Sequence, residues 1–182
     1  MTTFAWVAVV VVAVVALAAV AYFVGQRQKR SSHLRERFGP EYERVVSESD
    51  NRREAEEELR AREERLKELD IRPLPPETRD SYAARWTEVQ ERFVDAPMFA
   101  VTEADQLVTS VMAERGYPTE DFEQRLSDLS VRHASTLDHY RTAHEISGRA
   151  ARKEASTEEL RQAMVHYRAL FEELLQETTR GR

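Results

Sequence analysis

STEELRQAMVHYRALFEELL, residues 156–175, decides the fold class. Leu160, Met164, Tyr167, Phe171, Leu174 and Leu175 recur three and four residues apart, so they line one side of a helix. Ser156 stands just before the run and Glu159 three residues on. That is a capping box, in which two free backbone N–H groups of the first turn find side-chain acceptors. A helix with one bulky apolar side has to bury it against other helices.

Working back along the chain, the same period returns. Leu137, Tyr140, His144 and Ile146 mark one helix, weakening near Ser147-Gly148. Phe122, Leu126 and Leu129 mark a shorter one expected to begin at Thr119. Val101, Ala104, Leu107, Val108, Val111 and Met112 mark another, which Gly116-Tyr117-Pro118 should stop. Tyr82, Trp86, Val89 and Phe93 form a bulky stripe on a helix broken at Asp95-Ala96-Pro97. No segment sustains the alternation of a strand. Residues 77–178 therefore read as an all-α bundle of four or five short helices, with Tyr82, Trp86, Phe93, Tyr167 and Phe171 in its core.

Ile71-Arg72-Pro73-Leu74-Pro75-Pro76 cannot continue a helix and reads as a stiff linker over 71–76. Before it, residues 40–70 read as one long charged helix, opened by Gly39-Pro40. Its apolar content is thin. Val45, Leu59 and Leu66 share a heptad position with Arg52, and Ala55 and Leu69 share the companion position with Glu48 and Arg62, which makes a poor coiled-coil seam. Glu48–Arg52, Glu56–Arg60, Glu58–Arg62 and Glu63–Lys67 support it instead as a solvated helical spacer. Leu59, Leu66 and Leu69 are then either a partner surface or an edge that packs back on the bundle.

The N-terminal end is different in kind. Phe4 to Val24 is an uncharged apolar run of 21 residues, which as a helix spans ~31 Å, the ~30 Å of a bilayer core. Trp6 near one end and Tyr22 with Phe23 near the other suit aromatic rings at the two interfaces. Arg27, Lys29 and Arg30 follow at once, within a basic juxtamembrane segment over 25–38. Residues 27–37 hold five basic side chains against Glu36, a net of +4, so the rest of the chain carries −10 to reach the overall −6. Positive residues stay in the cytoplasm, so Arg27, Lys29 and Arg30 set the topology: N-terminus outside, C-terminal domain inside. Ala16-Leu17-Ala18 and Ala19-Val20-Ala21 have a form that a signal peptidase accepts. The charge, however, lies on the wrong side of a run too long for a signal core, and retention as an anchor is expected. The bilayer is therefore one partner, through residues 4–24. The acidic remainder disfavours nucleic acid.

Chemistry is hard to find. There is no cysteine, so thiolate catalysis and Cys-ligated metals are excluded. Of the five histidines, His33, His133, His139, His144 and His166, none has the three- or four-residue spacing of a helical chelate, and all are expected at the surface or its boundary. The five glycines are scattered, so no phosphate loop exists. No catalytic, cofactor or metal residues are assigned, and the expectation is a non-enzyme.

Three stretches, Leu34 to Tyr42, Leu69 to Leu74 and Arg161 to Phe171, resemble a group of small actinobacterial membrane-anchored helical proteins. The likeness covers most of the chain outside the anchor and implies a bacterial source. It brings no activity or site residues with it. The layout is also similar to the stalk b subunit of bacterial ATP synthase, but Gly39-Pro40 and the prolines at 73–76 break the long helix such a stalk needs. The expected function is a single-pass, membrane-anchored cytoplasmic adaptor or scaffold that binds an unidentified protein. The alternative is an exported envelope protein with a ligand-binding helical domain.

Overall fold

A computed structural model describes residues 21, 22, 25, 26 and 28–176. The run 4–24 and Arg27 therefore lie outside the described residues, apart from Ala21 and Tyr22. Among those described, no helix is long and apolar enough to cross a membrane, and no strand occurs. The order is α1 (28–38), α2 (Pro40–Glu48), α3 (Arg52–Glu68), α4 (Pro76–Arg92), α5 (Pro97–Arg115), α6 (Phe122–Ser130), α7 (Leu137–Ala151) and α8 (Thr157–Gln176). The all-α class and a set of five C-terminal helices follow the sequence reading.

α5 is the centre. Ala100, Val101, Ala104, Leu107, Val108, Val111 and Met112 are all buried, as expected of a helix enclosed by α4, α7 and α8. Trp86 of α4 stacks on Phe171 of α8 at 4.6 Å between ring centroids. The capping box of α8 forms as read: Glu159 accepts from the Ser156 N–H at 2.8 Å, and Ser156 Oγ accepts from the Glu159 N–H at 3.3 Å. α6 starts later than expected. Its cap is Asp121, which accepts from the Gln124 N–H at 2.8 Å, because a carboxylate caps better than Thr119 placed beside Pro118. α7 runs through Gly148 to Ala151, since the packing of Ile146 and Ala150 outweighs the weak propensity of one glycine.

The charged segment before the bundle departs most from expectation. It is two helices, not one. Ser49, Asp50 and Asn51 favour caps and turns over helix interior, and Asn51 caps α3 by accepting from the Glu54 N–H at 3.0 Å. The break lets α2 pack on α3. Leu59 and Leu66 are then 0% and 5% exposed in the common core, and Leu69 packs against it. Of the two alternatives for Leu59, Leu66 and Leu69, the structure has them pack back on the bundle, which leaves no partner surface there. Leu34, Phe38, Tyr42, Val45 and Ala55 join the same core, so α1 to α3 are part of the folded unit and not a solvated spacer.

The arginines that spoiled the heptad seam explain how. Arg62 shares its face of α3 with Ala55, Leu59 and Leu66, and it donates to buried Glu41 at 3.2 Å and to Ser130 at 3.3 Å. Arg141 of α7 meets both Glu41 oxygens at 2.8 Å. Arg65 reaches the fully buried Asp128 of α6 at 3.0 Å. The 71–76 segment is docked as well. The Arg72 N–H donates to the Arg115 carbonyl at 3.0 Å, and Arg115 Nη1 donates to the Leu174 carbonyl at 2.7 Å. Gly116 closes α5 at φ 97, where a Cβ would stand 2.4 Å from the Asp70 carbonyl oxygen, so only glycine fits that approach.

Removing Glu41 leaves two guanidiniums without their shared partner. Glu41→Ala should cost ~3–5 kcal/mol, the usual loss when one member of a buried ion pair is truncated. Arg53→Ala, at an exposed pair, should cost under ~1 kcal/mol. Chemical denaturation of the full chain in detergent micelles measures both, and equal small losses would show that Glu41 does not hold the helices together.

Candidate functional site

The turn between α4 and α5 breaks the rule that apolar side chains are covered. Val94, Met98 and Phe99 are 82%, 39% and 71% exposed. The cause is local. Asp95-Ala96-Pro97 ends one helix and starts the next, and α5 turns Ala100, Val101 and Ala104 inward, which leaves Phe99 off that face and Met98 at its edge in the first turn. Phe93, at the head of this corner, also lines a groove of about 200 Å³ against α8, with Met164 and Val165. Val165 is itself 54% exposed. An apolar cavity of ~150 Å³ is enough for a benzene ring, so the groove can take one bulky apolar side chain.

The rim is basic. Arg161 and Arg168 line the groove, with Gln90 and no carboxylate. Arg161 pairs with Glu158 at 2.6 Å and Arg168 with Glu172 at 2.6 Å, both on the open surface of α8. Exposed pairs of this kind contribute little and exchange readily. Both guanidiniums can therefore turn to an incoming carboxylate. Sequence reading missed this corner, although a signal was present: Phe99 falls outside the three-and-four spacing of the Val101 to Met112 stripe, whereas Met98, three residues before Val101, fits it and gave no warning.

The remaining polar clusters serve the fold. Asp105 Oδ1 accepts from the Tyr167 hydroxyl at 2.9 Å and lies 3.8 Å from His144 Nδ1. The grouping resembles an acid–base relay, but Phe122 stacks on the His144 ring at 3.7 Å and closes its face. Burial and the neighbouring Asp105 push the Tyr167 hydroxyl far above its usual range, and burial takes Tyr140 up to about 12, so neither ionises near neutrality. Burial opposes the charge on Asp105, yet His144 and Tyr167 outweigh it and hold the carboxyl below its ordinary value.

His133, expected near the surface, is 1% exposed and bonds Glu173 at 2.9 Å across to α8. His139 and His166, 27 residues apart, meet at 2.7 Å between Nδ1 atoms, a pairing invisible in sequence because α7 and α8 had not been set side by side. Burial and the facing His139 keep the His166 pKa below its usual value. Among the described residues no group of three or more His, Asp or Glu side chains is placed to hold a metal ion. Of the residues expected to set the topology, Lys29 and Arg30 are exposed on α1, and Arg27 lies outside the described residues.

The depressed Asp105 carboxyl has a consequence for acid stability. A carboxyl with a lowered folded pKa stabilises the protein above its unfolded value of ~3.9 and loses that contribution as pH falls through the folded value. Asp105→Asn should therefore be less stable than wild type at neutral pH and should show a shallower fall below about pH 4. Thermal melts across an acid pH series measure the slope, and identical slopes would show that Asp105 is not held in its charged form.

Comparisons with known protein families, with curated proteins and with solved structures give no match.

Proposed function

We propose that the protein is a single-pass, membrane-anchored adaptor whose helical domain lies in the cytoplasm and docks an amphipathic helix of another protein, without catalysing a reaction. The observation that carries this reading is the exposed corner of Val94, Met98 and Phe99, which follows half-buried Phe93 at the edge of the groove that holds Met164 and Val165. An apolar patch rimmed by polar groups is a usual mark of a protein-binding surface. The basic rim selects the partner's chemistry: a helix with apolar side chains at i, i+3, i+4 and i+7 and carboxylates along its flank. One side chain of that helix would fill the groove, and flanking acids would replace Glu158 and Glu172 at Arg161 and Arg168. The anchor over 4–24 supports a tethered role, and Arg27, Lys29 and Arg30 support the cytoplasmic side.

Two measurements test this. A fluorescent peptide with that apolar spacing and Glu on its flanks should bind the full chain in micelles saturably. The double variant Phe99→Asp with Val165→Asp should weaken binding at least tenfold, with an unchanged unfolding temperature because both side chains are exposed. Equal affinity for the variant, or for a Lys-flanked peptide, would reject the docking surface. Separately, a side-specific reporter fused after Arg182 should be active only in the cytoplasm. Activity on the outer face would overturn the orientation and favour the exported alternative.

A further inference from the structure

A second concave surface lies away from the apolar corner, between α1 and α3. It encloses about 800 Å³ and is lined by five arginines, Arg30, Arg35, Arg52, Arg53 and Arg60, against two carboxylates, Glu56 and Glu57. We propose that this cleft binds a phosphate-bearing anion.

The first support is the balance of charge. Glu56 is already engaged: its Oε1 accepts from the Tyr42 hydroxyl and from Arg52 Nε, each at 2.9 Å, and from Ser31 Oγ. Glu57 is held by Arg53 at 2.9 Å, and Arg35 turns to Glu43 at 3.1 Å. Among the described residues Arg30 has no carboxylate partner, and Arg60 donates only to the Glu56 main-chain carbonyl, at 3.0 Å. Two guanidiniums in a concave site thus lack a counter-charge. With five arginines against two carboxylates the lining is net positive, which favours an anion, and the planar guanidinium fork matches phosphate oxygens in pairs.

The second support is the built floor. Ser31 and Tyr42 are buried, and with Arg52 and Glu56 they lock α1, α2 and α3 together. The cleft walls are therefore fixed in relation to each other, so an anion meets a preformed site and not a loose fringe of side chains. The Gln28 side chain adds a neutral donor at the rim, while the Ser32 hydroxyl donates to the Gln28 main-chain carbonyl at 2.9 Å.

The third is position. Gln28 and Arg30 follow Val24, the last residue of the apolar run, by only four and six positions. If that run is the anchor, the cleft opens at headgroup depth. The headgroup source of the phosphate rests on the membrane reading. Recognition of the anion itself does not.

The test uses the full chain in zwitterionic detergent, titrated with inorganic phosphate or with a soluble short-chain phosphatidic acid, at constant ionic strength. Wild type should show a saturable rise in unfolding temperature with one or both probes and none with chloride. Arg30→Gln, an exposed change, should weaken that response several-fold, and Arg30→Gln with Arg60→Gln should weaken it at least tenfold. Response to the lipid alone assigns a headgroup. Response to both assigns the phosphate group in either source. No saturable response, or an undiminished one in the double variant, overturns the proposal. The acidic peptide probe of the apolar corner should bind the Arg30 and Arg60 variants as it binds wild type, so failure of the cleft is separable from failure of the docking surface.

Discussion

The buried carboxylate of Glu41 is the constraint on which the architecture depends. It sits at the first turn of α2, 3% exposed at its side chain, and receives Arg62 from α3 and Arg141 from α7. A lone carboxylate in that position would be costly to bury. With a bidentate arginine on one side and a second guanidinium on the other, its charge is matched by directed donors. The geometry also removes freedom, because the neighbouring helices α2 and α3 and the distant α7 must present their side chains to a single point. Once that point is occupied, α3 can offer only one face inward, the face of Ala55, Leu59 and Leu66. Arg65 and Asp128 repeat the device one turn further along α3, against α6.

This explains which parts of the fold were legible in the sequence. Helices whose apolar residues outnumber their polar ones on one face, α5 and α8 above all, declared themselves by period, and their caps declared the ends. α3 did not, because its inward face holds only Ala55, Leu59 and Leu66 with Arg62 set among them. A heptad reading treats Arg52 and Arg62 as defects, and under that rule Leu59 and Leu66 are left over as a sparse edge. Their true partners, Glu41 and Glu56, are charged residues from other helices or the next turn, and no local pattern marks a carboxylate as the one that will be buried. The Ser49-Asp50-Asn51 turn was the readable clue, since three poor helix formers in succession outweigh the favourable pairs on either side.

The candidate surfaces were less legible still, for a related reason. An exposed apolar corner is defined by what fails to cover it, and that depends on where the bundle places its neighbours. Phe99 and Tyr82 are equally good core candidates by composition; only the inward turn of Ala100 and Val101 decides that Phe99 stays outside. The polar clusters show the converse. His133 with Glu173, and Asp105 with Tyr167, look like reactive sets as residue types, yet each is spent in joining helices, with aromatic rings or neighbouring helices closing the space a substrate would need.

The distribution of charge gives the two surfaces different surroundings. The segment 27–37 carries +4 and the remainder −10, so an anionic bilayer attracts only the first helix and repels the body of the domain. Screening over a Debye length of ~8 Å would confine that attraction to groups close to the headgroups, where Arg30 would stand if the 4–24 run is the anchor. On the proposed membrane reading the α1–α3 cleft would face lipid, while the acidic body, repelled by an anionic surface, would keep the exposed corner of Val94 and Phe99 in water. Because Glu41 and Glu56 tie α1, α2 and α3 to one another and to α7, a ligand in the cleft would be held by a rigid part of the same unit that carries the docking corner. The proposed anion cleft and the exposed apolar corner thus stand on one continuous core but on different helices, so each can be altered without the other.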